Sequence, residues 1–299
     1  MAALRDTVSQ RKELLKETIS NVLWVSLISA LVVSGCVDLK AIRAFSEISS
    51  QAAGYTNFTN DYVRTIERQK TFQQEDQQGN LDTIIKEREA QRDVLLAIHK
   101  EISAYLTALA KLSSDNIISY DHSLDEVSRK METIKDEDGE QFFKKEEVDA
   151  FGGLARLLAK VSTDSYREKE LKEIIESSNK DFQVIIALLK RFMEIDYDGS
   201  LKNEKVAVKM YYKDLIENAR LNPDQQAGIE LLSTDRQNTI DRKRKAAESY
   251  VKILSKIGEG HQLLYDKRSQ IESSRKLKVT IEGYEKEISG LFKAVKEMK

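Results

Sequence analysis

A chain of 299 residues with a single proline, Pro223, and only twelve glycines has almost nothing in it to interrupt a helix. Proline removes a backbone donor and clashes with the preceding turn, and glycine weakens a helix by about 1 kcal/mol. A sequence this poor in both can sustain long helices. Apolar residues are spaced to match. From Asp38 onward they recur at steps of three and four, the period of one buried helix face, and no stretch alternates with the period of two that marks a strand. The spacing therefore predicts an all-α fold.

The runs can be read off in order. Leu39, Ile42, Phe45, Ile48, Ala52, Tyr55, Tyr62 and Ile66 form a first stripe, broken by the polar stretch 73–82 with Gly79. Leu95, Ile98, Ile102, Tyr105, Leu109 and Leu112 form a second. After a turn at 113–116, a shorter amphipathic piece covers 123–135, and the acidic stretch 136–140 reads as a loop. Val148, Phe151, Leu154, Leu158 and Val161 follow, with Gly152 and Gly153 allowing a close backbone approach. Leu171, Ile175, Ser178, Phe182, Ile185, Leu189 and Phe192 step evenly to a turn expected at 197–200. Val206, Met210, Leu215 and Ala219 are expected to be the buried face of the next helix, stopping at Asn222-Pro223. A further helix is expected from Ile229 to Ile257, ended by Gly258-Glu259-Gly260, and a last one carries Ile281, Tyr284, Ile288, Leu291, Val295 and Met298.

Runs beyond 25 residues imply helices on the order of 40–50 Å long at 1.5 Å per residue. Each has one apolar and one Lys/Glu-rich face, so each must bury its stripe against others to be stable. Short polar connections favour antiparallel neighbours. The expected architecture is an elongated antiparallel helical bundle with long coiled-coil-like helices.

The N-terminal end reads differently. Residues 22–33 (Val-Leu-Trp-Val-Ser-Leu-Ile-Ser-Ala-Leu-Val-Val) form an apolar run, too short for the roughly 20 residues a bilayer span needs but suited to the core of a secretory signal. Arg5, Arg11, Lys12 and Lys16 precede it against Asp6, Glu13 and Glu17, a weakly basic and rather long leader. After it come Val33, Ser34, Gly35 and Cys36, the only cysteine, which excludes an intramolecular disulfide. An aliphatic residue, two small residues and a cysteine at this place resemble the lipobox of bacterial lipoproteins, over residues 1–36 only. The same residues also fit a core helix with an incidental V-S-G-C ending, or an uncleaved signal anchor.

The lipoprotein resemblance implies peptidase recognition through Val33, Ser34 and Gly35, cleavage before Cys36, and acyl chains on Cys36. Two or more acyl chains hold a protein stably at a membrane, where one alone is marginal. In such proteins an Asp directly after the cysteine favours the inner membrane. Here Val37 stands there, which implies an outer-membrane anchor facing the periplasm. The domain organisation expected is a cleaved segment 1–35 and a helical-bundle domain 36–299 with net charge −3.

Chemistry-bearing motifs are sparse. The 48 basic and 50 acidic side chains nearly cancel, so no nucleic-acid partner follows from charge. His99, His122 and His261 share no metal-ligand spacing: His99 reads as a boundary residue, and His122 as solvent-facing. The acidic stretches 136–139 and 194–199 tempt a calcium reading, with Glu194, Asp196 and Asp198 at the first three ligand positions. The bidentate glutamate is missing, with Lys145 and Lys205 where it should stand, so both read as helix-ending turns with glycine caps. There is no nucleophile elbow and no phosphate-binding glycine loop, hence no cofactor or small-molecule substrate to name. Arg242-Lys243-Arg244-Lys245 wraps around a helix and reads as a solvated face, with a contact to anionic headgroups or peptidoglycan as the other option. The eleven tyrosines fall mostly on apolar stripes and read as core.

Together these features point to a non-enzymatic, lipid-anchored envelope protein, a helical spacer or adaptor that binds an envelope protein or itself. A membrane-active bundle, pore-forming or membrane-shaping, is the alternative.

Overall fold

A computed structural model describes residues 36–73, 78–113, 124–163, 170–271 and 273–298. Val33, Ser34, Gly35 and His122 lie outside the described residues, and Cys36 is the first residue of the first helix. The helices are α1 (Cys36–Ala53), α2 (Asn57–Lys70), α3 (Gln78–Leu112), α4 (Leu124–Thr133), α5 (Lys145–Thr163), α6 (Leu171–Arg191), α7 (Asp198–Asn218), α8 (Pro223–Asp266) and α9 (Arg275–Glu297). No strand occurs among the described residues; one isolated antiparallel bridge joins Lys135 and Gln141. The chain is an all-α helical bundle, as the stripe spacing predicts.

α1 and α2 follow one another along α3 and run antiparallel to it. The pairs Arg43–Ser113, Ser50–Ser103, Thr59–His99, Tyr62–Gln91 and Lys70–Asp82 mark the descent. α8 spans 44 residues, about 66 Å at 1.5 Å per residue. Tyr250 of α8 donates to the Ala52 carbonyl (3.1 Å), and Phe45 lies against Gly260. The N-terminal end of α1 is therefore level with the C-terminal end of α8. α9 packs on α1 and α8, α5 on α6, and α6 on α8, around one continuous apolar core.

Two helix ends fall elsewhere than the spacing predicts, each for a physical reason. α8 does not stop at Gly258-Glu259-Gly260. Those glycines lie inside the helix because a neighbour comes too close for a side chain: a Cβ on Gly260 would stand 2.5 Å from the Phe45 ring, and one on Gly258 would stand 3.3 Å from Ile186. Nor does a turn end α6 at 197–200. The chain stays helical through a π segment, Phe192–Tyr197, directly into α7. A π turn accommodates one extra residue without breaking the helix. The buried stripe shows where it went: Phe182, Ile185, Leu189 and Phe192 are followed by Met193, Tyr197, Ser200, Leu201, Glu204 and Val208. Within the π segment the stripe moves over by one residue, from Phe192 to Met193, and from Met193 the steps of three and four resume.

That slip also corrects the expected face of α7. Val206 and Met210 are exposed, Met210 at 61%, because the buried face after the slip runs through Leu201, Glu204 and Val208; Leu215 is in phase with that face but lies beyond its last buried residue, Val208. At the other end of the hairpin, Pro223 opens α8 at its first position. Asn222 and Gln225 close a reciprocal cap there, Asn222 Oδ1 accepting from the Gln225 amide (2.9 Å) and Gln225 Oε1 from the Asn222 amide (3.0 Å).

Glycine substitutions test the close approach. Gly260→Ala should lower stability by about 1–3 kcal/mol through overpacking against Phe45, despite alanine's better helix propensity. Gly290→Ala, on the exposed side of α9 with nothing within 4 Å, should raise it by up to about 1 kcal/mol. Chemical unfolding of both variants reads the opposite signs; two equal shifts would contradict the packing.

Candidate functional site

Beyond Val208 of α7 and before Ile240 of α8, no residue is buried. This part of the α7–α8 pair is an antiparallel hairpin that projects past the end of the bundle. Its exposed apolar side chains are Met210, Tyr211, Leu215, Leu231 (69%) and Leu232 (56%), with Val206 at the base. Several large apolar groups exposed on one projecting element make it the candidate contact surface of the chain.

An ion-pair network holds the hairpin to the rod. Arg68 of α2 bonds Glu204 of α7 (2.6 Å) and Asp61 of its own helix (2.8 Å). Asp61 also receives Lys243 of α8 (2.9 Å) and the Tyr197 hydroxyl (2.8 Å). Lys205 pairs with Asp241 (2.8 Å) and Arg244 with Asp198 (2.6 Å), fastening the two arms to each other. Gln69 donates to the Ser200 carbonyl. Burial alone would push the Asp61 carboxyl up, but Arg68 and Lys243 outweigh it and hold it below the usual carboxylate range.

The basic run 242–245 is thus only partly a solvated face: Lys243 and Arg244 turn inward to Asp61 and Asp198. Spacing alone did not mark Asp61, Arg68 or Glu204, because a charged residue on a buried stripe reads as an interruption of it.

The two acidic stretches behave differently from calcium loops. In the first, Asp136 Oδ1 accepts the amides of Asp138 and Glu140 (3.0 and 2.9 Å), and Gly139 takes φ 82°, a tight turn. In the second, Glu194, Asp196 and Asp198 lie on helix, so their carboxylates diverge: Glu194 is exposed, and Asp198 meets Arg244 and Lys202. Asp196 points inward, 3.7 Å from Arg191, and burial raises its pKa to about 6. Among the described residues no group of three or more His, Cys, Asp or Glu side chains is placed to hold a metal ion.

His99 is a core residue rather than a boundary one, and His261 is buried as well. His99 Nδ1 donates to the Ala53 carbonyl (2.7 Å) while Nε2 accepts from Thr59 (2.9 Å). His261 Nδ1 donates to Asn179 (2.9 Å) and Nε2 accepts from Tyr105 (2.7 Å), with Phe182 stacked on the ring. Each satisfies both nitrogens of a neutral imidazole. Burial lowers their pKa values to about 4 and about 3. Of the tyrosines, Tyr62, Tyr105, Tyr197 and Tyr250 are buried as expected, whereas Tyr211 stands exposed on the hairpin.

The fold and site define a class in structural terms: an all-α rod bearing a projecting antiparallel hairpin clamped at its base by shared carboxylates. Comparison of the chain with protein families, characterised proteins and solved structures gave no match.

Two measurements follow. Arg68→Met should cost on the order of 3 kcal/mol, because it strands the nearly buried Glu204 without its counterion. Adding Glu204→Gln should recover part of the loss; a single variant as stable as wild type would remove the network from its structural role. The histidines set a pH dependence. Unfolded, each takes a proton near pH 6.5; folded, only near 4 and 3. The stability they support is complete above about pH 6.5 and falls with acidification, by at most about 1.4 kcal/mol per pH unit for each. Asp196 works the other way between about pH 4 and 6, since its folded pKa is raised. His261→Gln should therefore flatten the loss of stability between pH 6.5 and 4.5 relative to wild type in guanidinium titrations.

Proposed function

We propose that the chain is a lipid-anchored envelope protein whose bundle works as a rigid spacer and whose projecting hairpin is the contact surface for a partner. The observation that carries this reading is the placement of two features at opposite poles. Cys36, the acylation site that the lipobox-like sequence implies, begins α1 at the level of the C-terminal end of α8. The exposed apolar hairpin lies at the other end of the same helix, about 66 Å away. An anchor at one pole would leave the hairpin facing away from the membrane that holds it. Residues Val33, Ser34 and Gly35 would be read by the lipoprotein peptidase and removed with the leader. The anchoring membrane on this reading is the outer one, with the bundle in the periplasm, and the protein performs no catalysis.

A membrane-active bundle is the second reading, and the exposed Met210, Leu215, Leu231 and Leu232 favour it. Lys209, Lys213, Asp214, Glu217 and Arg220 interrupt that surface, however, and a charged side chain is costly in the hydrocarbon region. No described helix is long and apolar enough to cross a membrane.

Intact mass of the protein extracted from membranes tests the anchor. The expected product lacks residues 1–35 and carries acyl mass on Cys36, and Cys36→Ser should remain uncleaved and lose membrane attachment. A natural product that is full length, lipid-free and cytosolic would overturn the envelope role. Release of dye from liposomes by the purified chain would favour the membrane-active reading.

A further inference from the structure

The two broad faces of the hairpin differ. At 3.6 residues per turn, the buried stripe of α7, Leu201, Glu204 and Val208, continues upward through Tyr211 and Leu215. Lower down, α2 lies on that stripe, through Arg68 on Glu204 and Gln69 on Ser200. α2 ends at Lys70, and Phe72 closes over the end by packing edge-on against Tyr211 (5.5 Å between ring centres). Above Phe72 no described residue is buried on the continuing stripe. On α8, Leu232 stands one and two turns above Arg236 and Ile240, which line the foot of the hairpin with Val208, so by helical phase Tyr211, Leu215 and Leu232 fall on one side of it. At its foot is a pocket of about 140 Å³, walled by Phe72, Val208 and Ile240 on one side and by Arg68, Glu204, Arg236 and Lys243 on the other.

The charges around the groove on this side of the hairpin are not symmetric. Asp214 on α7 and Asp235 on α8 fall at its two outer edges by helical phase, and neither is in an ion pair with a described residue. Lys202, Lys209, Lys213 and Arg220 lie toward the opposite face of the hairpin. Arg236 stands at the foot, where the free carbonyls of a docked helix's C-terminus would fall.

We propose that this groove takes one amphipathic helix of another protein, apolar on the face laid against Tyr211, Leu215 and Leu232 and basic along both flanks. It takes up the face of α7 where α2 leaves off, and one of its apolar side chains packs on Phe72, Val208 and Ile240 at the foot of the groove. A second copy of this chain is the poorer occupant. The uncovered strip is one helix wide and about 20 Å long, well short of the roughly 1,200 Å² that a stable protein pair buries. A single helix laid in a groove needs less. The acidic edges attract basic flanks, and the cationic opposite face repels them, so the helix has one side to choose. This inference rests on the hairpin being the contact surface, and it is independent of the lipid anchor.

The test uses the full chain and a fluorescent 16-residue synthetic helix with leucine on one face and lysine on both flanks, read by fluorescence anisotropy at physiological salt. A matched peptide with glutamate flanks is the comparison. The lysine-flanked peptide should bind, at least tenfold more tightly than the glutamate-flanked one. Leu232→Glu should weaken it at least tenfold, while Leu231→Glu, on the outer side of the same helix, should leave it within twofold. The doubly reversed variant Asp214→Lys with Asp235→Lys should invert the preference between the two peptides. All of these residues are exposed, and circular dichroism confirms that each variant folds.

Equal binding by wild type and Leu232→Glu, no binding at all, or an unchanged preference after charge reversal would each overturn the proposal. A concentration-dependent dimer that Leu232→Glu abolishes would also overturn it, in favour of a second copy. A photo-crosslinker at Leu232 that captures a partner in cells, where the peptides do not bind, would sink the helix proposal and leave the contact-surface reading standing.

Discussion

Asp61 is the point on which the hairpin depends. Its carboxylate receives Arg68, Lys243 and the Tyr197 hydroxyl, and so ties α2, α8 and the π segment together in one place. Arg68 extends the tie to Glu204 of α7. Two helices joined only at their tip gain little from each other in water, since most helical stability in a protein comes from packing an amphipathic face. The part of α7 and α8 beyond the bundle has no buried residue of its own, so its orientation is inherited from the base. Ion pairs suit that task better than apolar contacts would. They specify geometry, and unlike an apolar patch of equal strength they do not slide. Their energetic worth is modest, because taking such charges out of water offsets much of the attraction.

The π segment makes the network possible. Before it, the buried stripe of α6 turns toward α5 and α8; after it, the stripe of α7 turns toward α2. One additional residue rotates the helix face by about 100° without a loop, so α6 and α7 remain one continuous helical path. A loop at this place would have let the hairpin swing. The glycines of α8 serve continuity in the same way, letting Phe45 and Ile186 press against its backbone while the helix runs unbroken through the core.

The sequence makes the helices and most of the core legible, and the two places where it misleads share a cause. Steps of three and four identify a stripe only while the phase holds. The one-residue shift from Phe192 to Met193 passes between two apolar letters, and the stripe beyond it contains Glu204, which looks like a surface residue until Arg68 is brought to it from 136 positions away. With Glu204 discounted, Val206 and Met210 offer a rival apolar stripe and draw the prediction to the wrong face. Gly258 and Gly260 mislead in the other direction. A glycine pair reads as a helix end locally, and only the ring of Phe45, far off in sequence, makes it a site of close approach. Long-range partners of charged and glycine residues are what a single sequence hides. His99 and His261 belong with them, since their neutral, fully bonded states depend on Ala53, Thr59, Asn179 and Tyr105.

Length and rigidity bear on what such a rod can do. α8 is one helix from the projecting tip to the opposite pole, and α6, the π segment and α7 form a second continuous path from the core to that tip. A load applied at the hairpin therefore passes along helical backbone and through the shared carboxylate, with no flexible joint on either path. Such an element holds two points at a fixed separation. It transmits position more readily than a conformational change, because the buried contacts around Tyr105, Phe182 and His261 admit one packing. An adaptor of this form would discriminate among partners by the shape and charge of its tip alone. The acidic edges at Asp214 and Asp235 and the apolar side chains between them are accordingly where its specificity would reside.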